Sequence, residues 1–187
     1  LPLPTKIVVG LSGIVGTFWP VILVLIGILI FLFRRWRKTE EGELIVDNLI
    51  LKVPVFGKLI QETILAEFTR TFGLLIGTGT LVVESLLETA DITGNVHYKN
   101  AVKDVSKQVE KGVSVGDAMS SHSLFPPMLV QLIKIGEQTG KMDETLTKAS
   151  EYFEDQVNEK VKTLTTAMEP FIMIVLGVGV AFLIVSV

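Results

Sequence analysis

The sequence predicts an all-α membrane protein in which two transmembrane helices flank a cytoplasmic six-helix bundle domain, and three observations carry that expectation. Mean hydropathy is +0.54 and 49% of the 187 residues are hydrophobic, too apolar for an ordinary water-soluble domain. Charge is confined to the middle of the chain, since Lys6 is the only charged residue before Arg34 and none follows Glu169. Between those limits apolar residues recur every three or four positions and never alternate with period two for long enough to make a sheet.

The first apolar stretch, Ile7 to Phe33, holds 27 residues without a charge. As a helix it reaches about 40 Å, against a hydrocarbon core of about 30 Å. A cleaved signal peptide is the competing reading, but it would carry its basic residues in front and a small-residue cleavage site behind. Here Arg34-Arg35-Trp36-Arg37-Lys38 follows the stretch instead. Trp19 and Trp36 stand 17 residues apart, about 26 Å along a helix, a separation suited to the two membrane interfaces. The second stretch, Pro170 to Val187, has Ser186 as its one conventionally polar side chain and just meets spanning length. Its alternative is a core helix, apolar on every face. Basic residues flank the middle segment and only Lys6 lies on the other side, which places the segment in the cytoplasm and both chain ends across the membrane. The opening Leu1-Pro2-Leu3-Pro4 and the close inside an apolar run read as cuts in a longer protein. The expected division is 1–38 for the first span with its lead-in and basic flank, 39–58 for an amphipathic helix and connector, 59–169 for the helical domain, and 170–187 for the second, truncated span.

The amphipathic helix starts at Thr39-Glu40-Glu41 and ends at Lys52, because Pro54 forbids continuation; Val53-Pro54-Val55-Phe56-Gly57 is the connector. The first domain helix runs from about Ile60 to Ile76, with Ile64, Phe68, Phe72 and Leu75 on one face, and stops at Gly77-Thr78-Gly79. The second, about Leu81 to Ile92, buries Val82 or Val83, Leu86 and Ala90, and Gly94 permits a left-handed cap. Asn95 caps the third, whose stripe is Tyr98, Val102, Val105 and Val109 and whose stop is Gly112. Ser114-Val115-Gly116-Asp117 resembles a capping box for a short fourth helix. Phe125-Pro126-Pro127 opens the fifth, with Leu129, Leu132, Ile133 and Gly136 inward and Gly140 closing it. The sixth starts at Met142 and meets no breaker until Pro170, where a kink is expected as it runs on into the membrane. Gly79, Gly112 and Gly140 are each followed by an acidic residue (Glu84, Asp117, Glu144) and an apolar anchor. Helix-start chemistry explains that echo as well as gene duplication does.

Chemistry is sparse. The whole chain carries a net charge of −3 and Lys6 lies outside the middle segment, leaving that segment at −4. Nucleic-acid binding, which concentrates positive charge, is excluded on that balance. There is no cysteine, hence no disulfide, thiolate metal site or thiol nucleophile. No phosphate loop, dinucleotide fingerprint, HExxH or EF-hand spacing occurs, so no catalytic, cofactor-binding or metal residues are assigned and the chain reads as a non-enzyme. His97 and His122 read as surface or capping residues, and Asp143-Glu144 and Glu154-Asp155 as solvated faces. Gly73 and Gly77 permit close helix approach but carry little weight outside a bilayer. Glu137, in Gly136-Glu137-Gln138-Thr139-Gly140, opposes the dipole of its own helix end and therefore either caps something or contacts a partner. Glu169, directly before Pro170, either caps the membrane helix or pairs with a partner.

Six segments together resemble the type II secretion F proteins and their type IV pilus counterparts, the PilC/GspF inner-membrane platform family. They are Pro54-Val55-Phe56-Gly57, Phe68-Thr69-Arg70-Thr71, Thr93-Gly94-Asn95, Leu124-Phe125-Pro126-Pro127-Met128, the Gly136–Gly140 run, and Met168-Glu169-Pro170. Thr93-Gly94-Asn95 is nearer the pilus branch. One departure is Thr80-Leu81, where the family has Val-Pro, though Glu84 stays in place. The resemblance implies the C-terminal half of a protein with three membrane helices and two homologous cytoplasmic six-helix domains. It implies a non-enzymatic, homo-oligomeric platform in the bacterial inner membrane, without a cofactor. Such a platform engages a cytoplasmic assembly ATPase, pilin or pseudopilin subunits and other inner-membrane assembly proteins. Phe125, Pro126, Glu137 and Gly140 are then the candidates for holding the turn between the fifth and sixth helices, Glu169 and Pro170 for coupling domain to span, and Glu84 for the acidic position after the departure. A signalling module would be expected to lack Glu169-Pro170 and carry a sensing segment, and a transporter would need polar groups inside its spans.

Overall fold

A computed structural model describes residues 20, 23–32, 34–37, 39–54 and 56–186. Every regular element among them is a helix. The helices are α1 (Glu40–Lys52), α2 (Phe56–Gly77), α3 (Val82–Ile92), α4 (Val96–Glu110), α5 (Val115–Ser120), α6 (Pro127–Thr139) and α7 (Met142–Ser186). Glu43–Val161 forms one compact unit, and Leu1–Gly42 with Lys162–Val187 forms the other.

In the Glu43–Val161 unit, α2 turns Ile64, Phe68 and Phe72 inward at four-residue spacing, and all three are buried. The Phe68 ring lies 5.6 Å from Phe72 and 6.0 Å from Phe125, so one aromatic row ties α2 to the segment ahead of α6. Leu86, Met119, Leu129, Ile133 and Leu146, from α3, α5, α6 and α7, complete a core with almost no solvent contact. The expected connector is shorter than the sequence suggests, because α2 already begins at Phe56, whose N–H donates to the Pro54 carbonyl at 2.9 Å. Gly73 has a packing role after all: a Cβ there would stand 3.1 Å from the Leu146 Cβ, which lets α2 and α7 approach closely. Two ion pairs join the same helices, Arg70 with Glu154 and Lys160 with Glu62.

The start of α4 is built as the sequence predicts and then elaborated. The Asn95 side chain accepts from the N–H groups of His97 (3.0 Å) and Tyr98 (3.4 Å). The free Val96 N–H is taken by Asp47 of α1 at 2.8 Å, and Asp47 is buried. His97 Nε2 meets the Leu44 carbonyl at 3.2 Å, a second tie from α4 to α1. Tyr98 donates its hydroxyl to the Leu124 carbonyl at 3.3 Å and packs edge-on against Phe125. Burial pushes its phenol up to about 12.

In the other unit, residues 23–32 are helical with exposed apolar side chains; the remainder of the Ile7–Phe33 span, apart from Pro20, lies outside the described residues. The sixth expected helix and the second expected span are one element, since α7 continues through Pro170 to Ser186. Glu169 is therefore inside a helix and caps no new one. Among the described residues α7 is the helix long and apolar enough to cross a membrane, over Met142–Ala181. Its apolar window is not buried, with Ile172, Met173 and Leu176 all exposed, which overturns the core-helix alternative.

Candidate functional site

The Gly79, Gly112 and Gly140 turns each connect the end of one helix to the start of the next, and all three glycines have positive φ (85°, 91° and 70°). The ends they join meet around one cavity of about 400 Å³. Ile76, Val82, Val109, Val115, Glu137 and Met142 line it, one from each helix from α2 to α7. The glycine-and-acid echo in the sequence thus marks three turns gathered at one end of the unit.

Glu137 decides how that end is built. Its Oε1 accepts from the Val115 N–H at 2.9 Å and its Oε2 from the Gly116 N–H at 3.3 Å. A carboxylate at the C-terminal end of α6 is unfavourable by itself, but here it sits on the positive N-terminus of α5. Ser114 Oγ accepts the next N–H, from Asp117, at 3.2 Å. The first three amides of α5, which a helix cannot satisfy internally, are all occupied. One turn earlier on α6, Lys134 pairs with Asp117 at 2.7 Å. That hydrogen bond, with a further one from Ser114, holds the Asp117 carboxyl below its ordinary value of 3.8. Of the expected capping box the Ser114 half is present, while the Asp117 carboxylate ties α5 to α6 through Lys134.

The turn after Glu137 needs its glycines. The N–H groups of Gly140 and Lys141 both donate to the Gly136 carbonyl, and a Cβ on Gly136 would come within 2.8 Å of the Met142 Cα. Gly140 itself is in the left-handed region that side chains avoid.

The sequence candidates do not form one cluster. Glu137 and Gly140 line the cavity, and Glu84 is exposed in the first turn of α3, two residues after the lining Val82. Phe125 and Pro126 lie at the opposite end of α6, where Phe125 is buried against Phe68, Tyr98 and His122. Glu169 and Pro170 belong to the other compact unit. His122 pairs with Asp104 at 3.0 Å, and Glu144 with Lys141 at 3.0 Å. Among the described residues no group of His, Cys, Asp and Glu is arranged to hold a metal ion. Asp47 and Lys134 were not singled out from the sequence; each acts on a helix far along the chain, which local spacing does not reveal.

Among the described residues these features define an all-helical protein whose helix α7 is long and apolar enough to cross a membrane. Residues 68–187 match the family of the type II secretion system (T2SS) protein F. Over its full length the chain is 37% identical to the type IV pilus assembly protein PilC of Pseudomonas aeruginosa, covering 50% of that protein. It is 35% identical to the type IV pilus assembly protein TapC of Aeromonas hydrophila, covering 45% of it. It is 28% identical to the type II secretion system protein F of Pseudomonas aeruginosa, covering 46%. The chain spans about half the length of the curated relatives it matches. It belongs to the type II secretion system protein F family.

Proposed function

We propose that this chain is part of an inner-membrane platform that assembles type IV pili or type II secretion pseudopili. The platform couples a cytoplasmic assembly ATPase to the polymerisation of pilin or pseudopilin subunits, and it does so by protein contacts without catalysis of its own. In this reading the chain crosses the membrane twice, through Ile7–Phe33 and from Pro170 onward, with a cytoplasmic six-helix domain at 59–169 between the spans. Other inner-membrane assembly proteins and further copies of the chain complete the machine. The observation that carries the reading is full-length similarity to proteins named for pilus assembly and type II secretion. It is supported by a helical end where Glu137 and Gly140 fix the α6–α7 turn beside a cavity.

Complementation of a platform-deleted strain tests it. Glu137→Ala and Pro126→Ala are expected to impair filament assembly while membrane insertion stays intact, and normal filaments from both would remove these residues from the function. Because the chain has no cysteine, a single Ser121→Cys variant reports topology. Labelling from the cytoplasm alone is expected, and labelling from the periplasm would reverse the orientation.

A further inference from the structure

Helix α1 has two faces, and the fold uses only one of them. On the used face Asp47 accepts the Val96 N–H, the Leu44 carbonyl meets His97 Nε2, and Leu51 packs against the core. At about 100° per residue, Leu49 lies about 160° around the helix from Asp47. There Ile45 and Leu49 are 55% and 65% exposed. Val53 and Phe56, at the corner where α1 gives way to α2, are exposed as well. A single apolar side chain in water is ordinary, but four in succession, each three or four residues on, make a strip that marks a contact surface. Exposed Glu41, Asn48 and Lys52 border it on one side.

The chain leaves this strip little choice of surroundings. In the unit that ends at Gly42, the Thr39 N–H and hydroxyl both donate to the Trp36 carbonyl, at 3.0 and 2.6 Å, and the Thr39 Oγ1 accepts the Gly42 N–H at 3.2 Å. A Cβ on Gly42 would overlap that same carbonyl. A helix continued past Trp36 would carry residue 42 about 9 Å further on, so the chain turns here and leaves no slack before α1. At the far end a Cβ on Gly57 would overlap the Leu51 carbonyl. The arm between these two corners starts beside Trp36 and exposed Arg34, Arg35 and Arg37, residue types that settle at a membrane surface. Ile45 and Leu49 follow Gly42 by only about 5 and 10 Å of helix.

We propose that α1 is a membrane-surface helix that seats Ile45, Leu49, Val53 and Phe56 among lipid headgroups and the first carbons of the acyl chains. Four side chains fall well short of the about 800 Å² per partner of a stable protein interface. A strip tethered a few residues from a span meets lipid at high effective concentration and needs far less area. The inference rests on the membrane topology proposed above and adds a lipid contact made by the segment between the spans.

The test uses the full chain in phospholipid nanodiscs, with single cysteines carrying an environment-sensitive fluorophore, quenched either by a nitroxide on the lipid acyl chain or by iodide in water. The ratio of lipid to aqueous quenching is expected to be several-fold higher at Ile45→Cys and Leu49→Cys than at Glu43→Cys and Asn48→Cys. Ile45→Gln combined with Leu49→Gln should lower the ratio at Val53→Cys several-fold, and the mapping at exposed sites stays readable if that double variant perturbs folding. Equal ratios at all four positions would put the strip in water and overturn the proposal. Protection from both quenchers would mean that protein, such as a second copy, covers it, which overturns it as well. Leu29→Cys, in the exposed apolar helix of residues 23–32, separates the two readings. Lipid quenching at Leu29 with the strip in water would sink this inference alone, whereas aqueous quenching at Leu29 would sink the topology beneath it.

Discussion

Both ends of the helical unit seat a carboxylate from one helix on the N-terminus of another, yet the first is packed with aromatic rings and the second opens on a cavity. At the first, Asp47 of α1 accepts the Val96 N–H of α4, close to where Tyr98 and Phe125 pack edge-on. At the second, Glu137 of α6 accepts two amides of α5, and a cavity of about 400 Å³ lies beside it. The same electrostatic device is compatible with opposite packing. Carboxylate-to-amide ties fix where helices begin; large side chains decide whether the space between them is filled.

The sharpest way to break this contrast is to hollow out the aromatic end. Phe125→Ala removes a ring that is 4% exposed and should cost about 3–5 kcal/mol, read as a fall in the denaturant midpoint of the chain in detergent. A loss below about 1 kcal/mol would mean that the aromatic row is not the main support there. Glu137→Ala at the cavity end strips two charge-assisted bonds and should cost about 1.5–3 kcal/mol. Glu137→Gln, which keeps an acceptor, should recover part of the loss, and identical midpoints for the two variants would show that the amides of α5 do not need the carboxylate. Asp47→Ala removes a single cap and should cost about 0.5–2 kcal/mol. Thermal unfolding would have to rank it below Glu137→Ala for the comparison to hold.

The smallest effect concerns pH. Lys134 and then Ser114 depress the Asp117 carboxyl below 3.8, so the stabilisation from this pair is complete above the unfolded value and disappears as pH falls through the native one. Acid scans should show the midpoint dropping below about pH 4, by less in Lys134→Met than in the parent. The Asp117 side chain is exposed, and the difference should also shrink in high salt.

Much of this fold is legible in the sequence because helix boundaries are local chemistry. Asn95, Ser114, Pro126-Pro127 and Gly140 mark ends that the structure reproduces, each through a cap or a fixed φ within a few residues. One boundary was not legible for a related reason. Pro54 signals a stop but does not say how soon the next helix starts, and α2 begins at Phe56. At Pro170 the expected continuation is found, since one lost hydrogen bond does not end a helix and α7 runs through it to Ser186. The site was half legible. Glu137 was conspicuous as an acid at the wrong end of its helix, but its partner lies 22 residues away in sequence. The recurrence of Gly79, Gly112 and Gly140 was visible as a pattern, whereas their meeting at one cavity depends on how the helices stack.

The occupied amides of α5 have a kinetic consequence. A helix of six residues is far too short to persist by itself, and the amides of a first turn ordinarily trade hydrogen for deuterium quickly because nothing in their own helix holds them. Here the Val115 and Gly116 N–H groups donate hydrogen bonds to a side chain of α6, so they can exchange only when α6 lets go. The two helices should therefore open as one cooperative unit, with the protection of the Val115 and Gly116 amides rising and falling with the amides of α6.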